Sequence, residues 1–119
     1  MILVDTSVWI DHFRFGNAKL SEMLEQELVL THPFVVGELA CGNLRGRARI
    51  LQGLEALPSV ISVDHQAVLY LIDGQVLWGK GLGLIDCHLL ASTLLSNCHL
   101  WTLDKSLEKV AAKLGVIEA

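Results

Sequence analysis

Four of the thirteen acidic residues, Asp5, Glu38, Asp86 and Asp104, occupy positions where a carboxylate could do chemistry. Asp5 directly follows the short apolar run 2–4, and Asp104 directly follows the run ending at Leu103. Ligands of open parallel α/β sheets collect beyond the carboxyl ends of the strands, so both acids belong on that rim. Glu38 and Asp86 lie instead in apolar helical stretches, flanked by Val36, Leu39 and Ala40 and by Leu84, Ile85 and Leu89. An ionised carboxylate against a core is costly unless paired or bound to metal, and few cations lie nearby in sequence. If the four converge, their mutual repulsion raises their pKa values until a divalent cation neutralises them. Hard oxygen ligands without Cys or His select magnesium or manganese over zinc. Such a centre can ionise a water for attack on a phosphodiester and stabilise the leaving oxygen.

Each acid also has a purely structural reading. Asp5 and Asp104 can serve as helix N-caps, worth about 1 kcal/mol each. Glu38 can be a partly exposed helix residue, and Asp86 a first-turn acid complementing the helix dipole. Position alone leaves these alternatives open.

The elements that must carry the acids alternate between strand and helix. Residues 2–4 read as a buried parallel strand, followed by the capping residues Asp5, Thr6 and Ser7 and a helix through Phe13. A helix over 18–27 leads to a second strand at 28–30. Pro33 sits at the first turn of a helix that holds Glu38, and another helix spans 47–57, stopped by Pro58. Residues 60–63 predict a third strand. Asp64 then caps a helix running through Val76 and Leu77, and 79–83 is a glycine-rich loop. A buried helix over 84–95 contains Asp86, a strand covers 99–103, Asp104 caps a helix over 105–114, and Val116–Ile117 predicts an edge strand. This alternation implies an α/β fold with a small, mostly parallel sheet between helices. One domain is expected over 1–119.

The bulk numbers limit what that domain can be. Hydrophobic residues make up 52% of the 119 and charged residues 18%, enough for a large core and for surface buried against partners. The net charge of −4, nine Lys and Arg against thirteen Asp and Glu, excludes a general nucleic-acid binder with a basic surface. It leaves room for an acidic site whose local sign divalent cations reverse. Cys41, Cys87 and Cys98 match no zinc spacing and read as reduced thiols among apolar neighbours, which suits a reducing compartment. No basic leader precedes the first strand and no apolar run reaches the ~20 residues of a membrane span, so a cytoplasmic location is expected.

Other features are weaker. Arg45, Arg47 and Arg49 form the one basic cluster, and Lys80 stands between glycines; Arg45, Arg47 and Lys80 are candidate RNA phosphate contacts, a solvated face being the alternative. Gly81-Leu82-Gly83 lacks the third glycine of a dinucleotide fingerprint. The five histidines are scattered, and Trp9, Trp78 and Trp101 each sit in an apolar pattern that predicts core.

The segments around the acids, VDTSVWIDHF, VVGELACG, GLGLIDCHLLAS and LWTLDKSL, resemble in order and spacing those of the PIN-domain family. They look most like its VapC-type toxins of toxin–antitoxin pairs, over nearly the whole chain. The resemblance implies a PIN-like sandwich of helices around a parallel sheet and a magnesium- or manganese-dependent endoribonuclease. Its metal site would be Asp5, Glu38, Asp86 and Asp104. Thr6 or Ser7 beside the first acid, and Thr102 two before the fourth, resemble supporting hydroxyls. Leu107 departs from the pattern, where an aromatic is common. The resemblance further implies a homodimer held inactive by a VapB-type antitoxin; Trp9, Phe13, Phe15, Leu51 and Leu54 are candidate interface residues, with ordinary core as the alternative.

Three rival readings remain on these residues. A PIN nuclease of RNA processing, outside any toxin pair, would share every motif. A PIN domain kept only for partner binding is disfavoured by the intact acids. A phospho-accepting signalling domain has similar length and alternation, but Asp5 is followed by Thr6-Ser7 rather than a second acid, and no lysine ends a late strand.

Overall fold

The computed structural model describes residues 1–118. Three short parallel strands, β1 (Ile2–Val4), β2 (Val29–Leu30) and β3 (His99–Trp101), form a sheet in the order β2-β1-β3. Ile2 and Leu3 pair with Val29 and Leu30 on one side, and Ile2, Leu3 and Val4 with His99, Leu100 and Trp101 on the other. With a neighbour on each side and helices on each face, β1 is buried at every residue. This explains its unbroken apolar run, where an exposed strand would alternate.

Among the described residues, seven helices flank the sheet: α1 (Thr6–Phe15), α2 (Ala18–Glu25), α3 (Pro33–Ala40), α4 (Arg47–Glu55), α5 (His65–Gly74), α6 (Leu84–Leu95) and α7 (Lys105–Lys113). Their starts follow the capping chemistry of the sequence. Asp5, Asn17, Asp64 and Asp104 each accept a first-turn amide, and His32 caps α3 ahead of Pro33. One contiguous core joins the strands to residues such as Leu20, Leu39, Leu89 and Leu107, all almost fully buried.

Several boundaries differ from the sequence expectations. Residues 60–63 form no strand. The backbone beside the end of β2 makes only a bridge, with Thr31 N donating to the Pro58 oxygen and Val60 N to the Thr31 oxygen, both at 2.9 Å. Beyond it, Ile61 N donates to Ser96 Oγ at 2.8 Å instead of continuing a ladder. Val116 and Ile117 are likewise reduced to a bridge beside Leu100. Helix α5 stops at Gly74, short of Val76 and Leu77, because Val76 turns left-handed at φ 53°. The chain then leaves Trp78 60% exposed, contrary to the core position expected for it.

Candidate functional site

The sheet order sends the chain from β1 to β2 on one side and to β3 on the other, so β1 and β3 flank a switch point. Both strands run out at the same rim. Asp5 stands at that crevice, its amide donating to the Trp101 oxygen at 2.9 Å, the place where open α/β sheets bind ligands.

Asp5 is only 6% exposed, and three donors hold its Oδ2: Thr102 Oγ1 at 2.8 Å, Ser7 Oγ at 2.7 Å and Ser7 N at 3.4 Å. The two hydroxyls are also acceptors. Thr102 Oγ1 takes the Asp104 amide at 3.0 Å, and Ser7 Oγ takes the Leu103 amide at 3.0 Å. Thr102, 1% exposed, therefore ties the turn after β1 to the turn after β3. Asp104 caps α7, its Oδ1 accepting Leu107 N at 3.0 Å.

The other two acids arrive on helices. Asp86, in the first turn of α6, accepts the Gly83 amide on Oδ2 at 2.9 Å. Glu38 lies on the exposed face of α3, not against the core as its neighbours suggested, and its Oε1 accepts Thr6 Oγ1 at 2.8 Å. Asp86 lies within electrostatic reach of Asp5, Asp104 and Glu38. Burial pushes Asp86 above the ordinary carboxylate range, the Gly83 amide pulls it back, and Asp5, Asp104 and Glu38 each push it up again.

A common pattern runs through the four. The bonds made to them by protein donors fall on a single oxygen, Oδ2 of Asp5, Oε1 of Glu38, Oδ2 of Asp86 and Oδ1 of Asp104, and come from hydroxyls or amides rather than cations. The caps and the Asp86 first-turn bond anticipated as alternatives are therefore present, and each uses half of its carboxylate. Among the described residues, no group of three or more His, Cys, Asp or Glu side chains is arranged so that it could hold a metal ion. The chemistry of the donor set, four carboxylates with no thiolate or imidazole, is that of a hard-cation site.

Other residues singled out in the sequence are dispersed. Arg47 closes α3, its Nε and Nη2 donating to the Ala40 oxygen at 3.0 and 2.9 Å. Arg45 shares a cleft of about 430 Å³ with Glu38, Ile10 and Phe13. Lys80 lines a different cleft, against α7. Asp11 accepts Asn17 Nδ2 at the α1–α2 turn. Trp9 and Leu54 are core at 4% and 3% exposure, which removes them as surface contacts, whereas Phe15 is 78% exposed. Cys87 and Cys98 are buried free thiols pushed up by burial, and Cys41 is exposed. The sequence reading missed the Gly83 amide, a glycine with no side chain to mark it, and the pairing of buried His32 and His88 around Phe34.

The PIN domain family model matches residues 2–113. Ribonuclease VapC32 of Mycobacterium tuberculosis, in both the CDC 1551 / Oshkosh and the ATCC 25618 / H37Rv strains, is 44% identical over 117 residues. The match covers 98% of this chain and 94% of the relative. Among solved structures, PAE2754 from Pyrobaculum aerophilum is similar at a TM-score of 0.61 and 15% identity, covering 96% of this chain and 88% of the other. That likeness concerns the fold. The chain belongs to the PIN domain family, among its VapC members.

Proposed function

We propose that this chain is a toxin endoribonuclease that hydrolyses RNA phosphodiester bonds with magnesium or manganese held by Asp5, Glu38, Asp86 and Asp104. The observation that carries the reading is the half-anchored state of the four carboxylates. Each has one oxygen fixed by a hydroxyl or amide, which leaves the second as a ligand. A bound divalent cation supplies the positive charge that polarises a phosphodiester and the water attacking it. The residues of the chain do the rest. Ser7 and Thr102 orient Asp5, Thr6 orients Glu38, and the amides of Gly83 and Leu107 orient Asp86 and Asp104. Burial, and then the charges of Asp5, Asp104 and Glu38, raise the Asp86 pKa against the pull of the Gly83 amide, and a bound divalent cation would relieve that repulsion.

The 44% identity to a protein named as a ribonuclease supports the activity and the pairing with a VapB-type antitoxin. The cleft beside Glu38 is where a segment of the VapB-type antitoxin would lie. It shares Phe13 with a second, more apolar cleft of about 270 Å³ whose lining includes Leu24, Ile50 and Leu57, giving a groove across α1 and α4 that leads to Glu38. A homodimer is part of the same reading, and a cytoplasmic location accompanies it. No helix among the described residues is long and apolar enough to cross a membrane.

Purified chain freed of partner should cut RNA with magnesium or manganese and stop when a chelator is added. Asp5→Asn should abolish cutting, because it removes one negative ligand while its amide oxygen still caps α1. Full activity in that variant, or cutting that survives chelation, rejects the assignment.

A further inference from the structure

The loop 79–83 and helix α7 enclose a cleft of about 370 Å³ whose lining includes Lys80, Lys109, Lys113 and Ser106, with no carboxylate. A second cleft of about 220 Å³ shares Lys80, Val110 and Lys113 with it, so the basic surface is elongated. Three of the nine basic residues of a chain with net charge −4 are thus concentrated in one place.

The elements that build this cleft also position the acids. Ser106, Lys109, Val110 and Lys113 are spaced i, i+3, i+4, i+7 along one face of α7, the helix that Asp104 caps. At 1.5 Å rise per residue, Asp104 to Lys113 spans about 13 Å. The loop passes close to α7 at Gly81 and is tied to the first turn of α6 at Gly83. Gly79 and Gly81 adopt φ of 71° and 79°, and a Cβ on Gly81 would stand 3.0 Å from Ser106 Oγ. Its last residue, Gly83, donates to Asp86. Lys80 and Asp86 are thereby carried by one short, pinned segment.

We propose that this cleft is a binding track for the sugar-phosphate backbone of the RNA, next to the bond being cut. The proposal rests on the ribonuclease reading and adds where the strand runs. Two lysines one helical turn apart and a third across the cleft suit successive phosphates of a polyanion better than one free anion. A basic track also answers a physical need, since the four acids repel RNA, and ammonium groups on the helix that Asp104 caps offset that repulsion.

The test compares the chain with a Lys80→Gln/Lys109→Gln/Lys113→Gln variant, both in an Asp5→Asn background, binding fluorescein-labelled single-stranded RNA across a salt series. About 0.7 of a counterion is released per phosphate neutralised on a single strand, so losing three contacts should flatten the log–log salt slope by about 2. Restoring charge with arginine at the three positions should restore the slope, which a merely structural role would not do. With Asp5 intact and magnesium present, the glutamine variant should show a raised KM and an unchanged kcat. An unchanged slope and KM in a chain that still cuts RNA overturns the track and leaves the ribonuclease reading standing. A chain that neither binds nor cuts RNA overturns both. Poly-glutamate bound through these lysines while RNA affinity stays constant overturns the track in favour of an acidic protein segment.

Discussion

Acidification from about pH 7 to below 4 should weaken the fold by about 3 kcal/mol through one side chain, His32. The ring is 2% exposed, and burial, then the neighbouring His88, lower its pKa from 6.5 to about 4. Nδ1 accepts the Phe34 amide at 2.9 Å, so the neutral ring carries its proton on Nε2, which is buried without a partner. His88, itself buried, and His65 stacked on it complete the imidazole cluster beside His32. In the unfolded chain the ring returns to 6.5. Between the two values the unfolded state binds more protons, so stability falls as pH falls. The contribution is intact above 6.5, shrinks on the way to 4, and is fully lost below. The gap of about 2.5 (6.5 less 4) at 1.36 kcal/mol per pKa unit gives about 3 kcal/mol. Urea denaturation followed by circular dichroism at several pH values measures it, with His32→Asn as the partner curve. Asparagine can still cap α3 but does not titrate. Groups common to both proteins cancel in the difference, which should change by about 3 kcal/mol over the range. Parallel curves for the two proteins would refute the reasoning.

Thr102→Val should cost about 2–4 kcal/mol in urea denaturation, because it removes a bond to the Asp5 carboxylate and strands the Asp104 amide. Thr102→Ser should recover most of this, together with the cutting rate. Val76→Asn should stabilise the chain by about 1 kcal/mol in the same assay. A β-branched residue at φ 53° is strained, asparagine tolerates that region, and the valine is 47% exposed and loses little packing. Arg47→Gln should lose about 1 kcal/mol of stability with the end of α3, yet leave KM for RNA unchanged, since its guanidinium is committed to the Ala40 oxygen.

Asp5 and Asp104 were readable as rim residues because each follows a strand and precedes a helix, a local arrangement that one stretch of sequence displays. Glu38 and Asp86 could be placed on helices, but what stands near them depends on how α3 and α6 pack, and only the family resemblance suggested that they join Asp5. Residues 60–63 misled through their β-branched content: intrinsic preference for extended backbone does not supply a neighbouring strand to pair with. Trp78 misled because an apolar pattern that continues α5 assumes the helix continues, whereas Val76 ends it. Lys109 and Lys113 were invisible as a site since one turn of spacing on an amphipathic helix reads equally well as a solvated face. Their meaning comes from the loop that brings Lys80 across to them.

The hydroxyl bond from Thr102 to Asp5 joins residues 97 positions apart. Contacts of that separation come late, because the loop they close must first be ordered. During synthesis the segment bearing Asp5 leaves the ribosome long before its restraint exists, and β1 waits for β3 as its second neighbour. A nascent chain shorter than about a hundred residues therefore holds its first acid unlocked, with no Asp104 beside it.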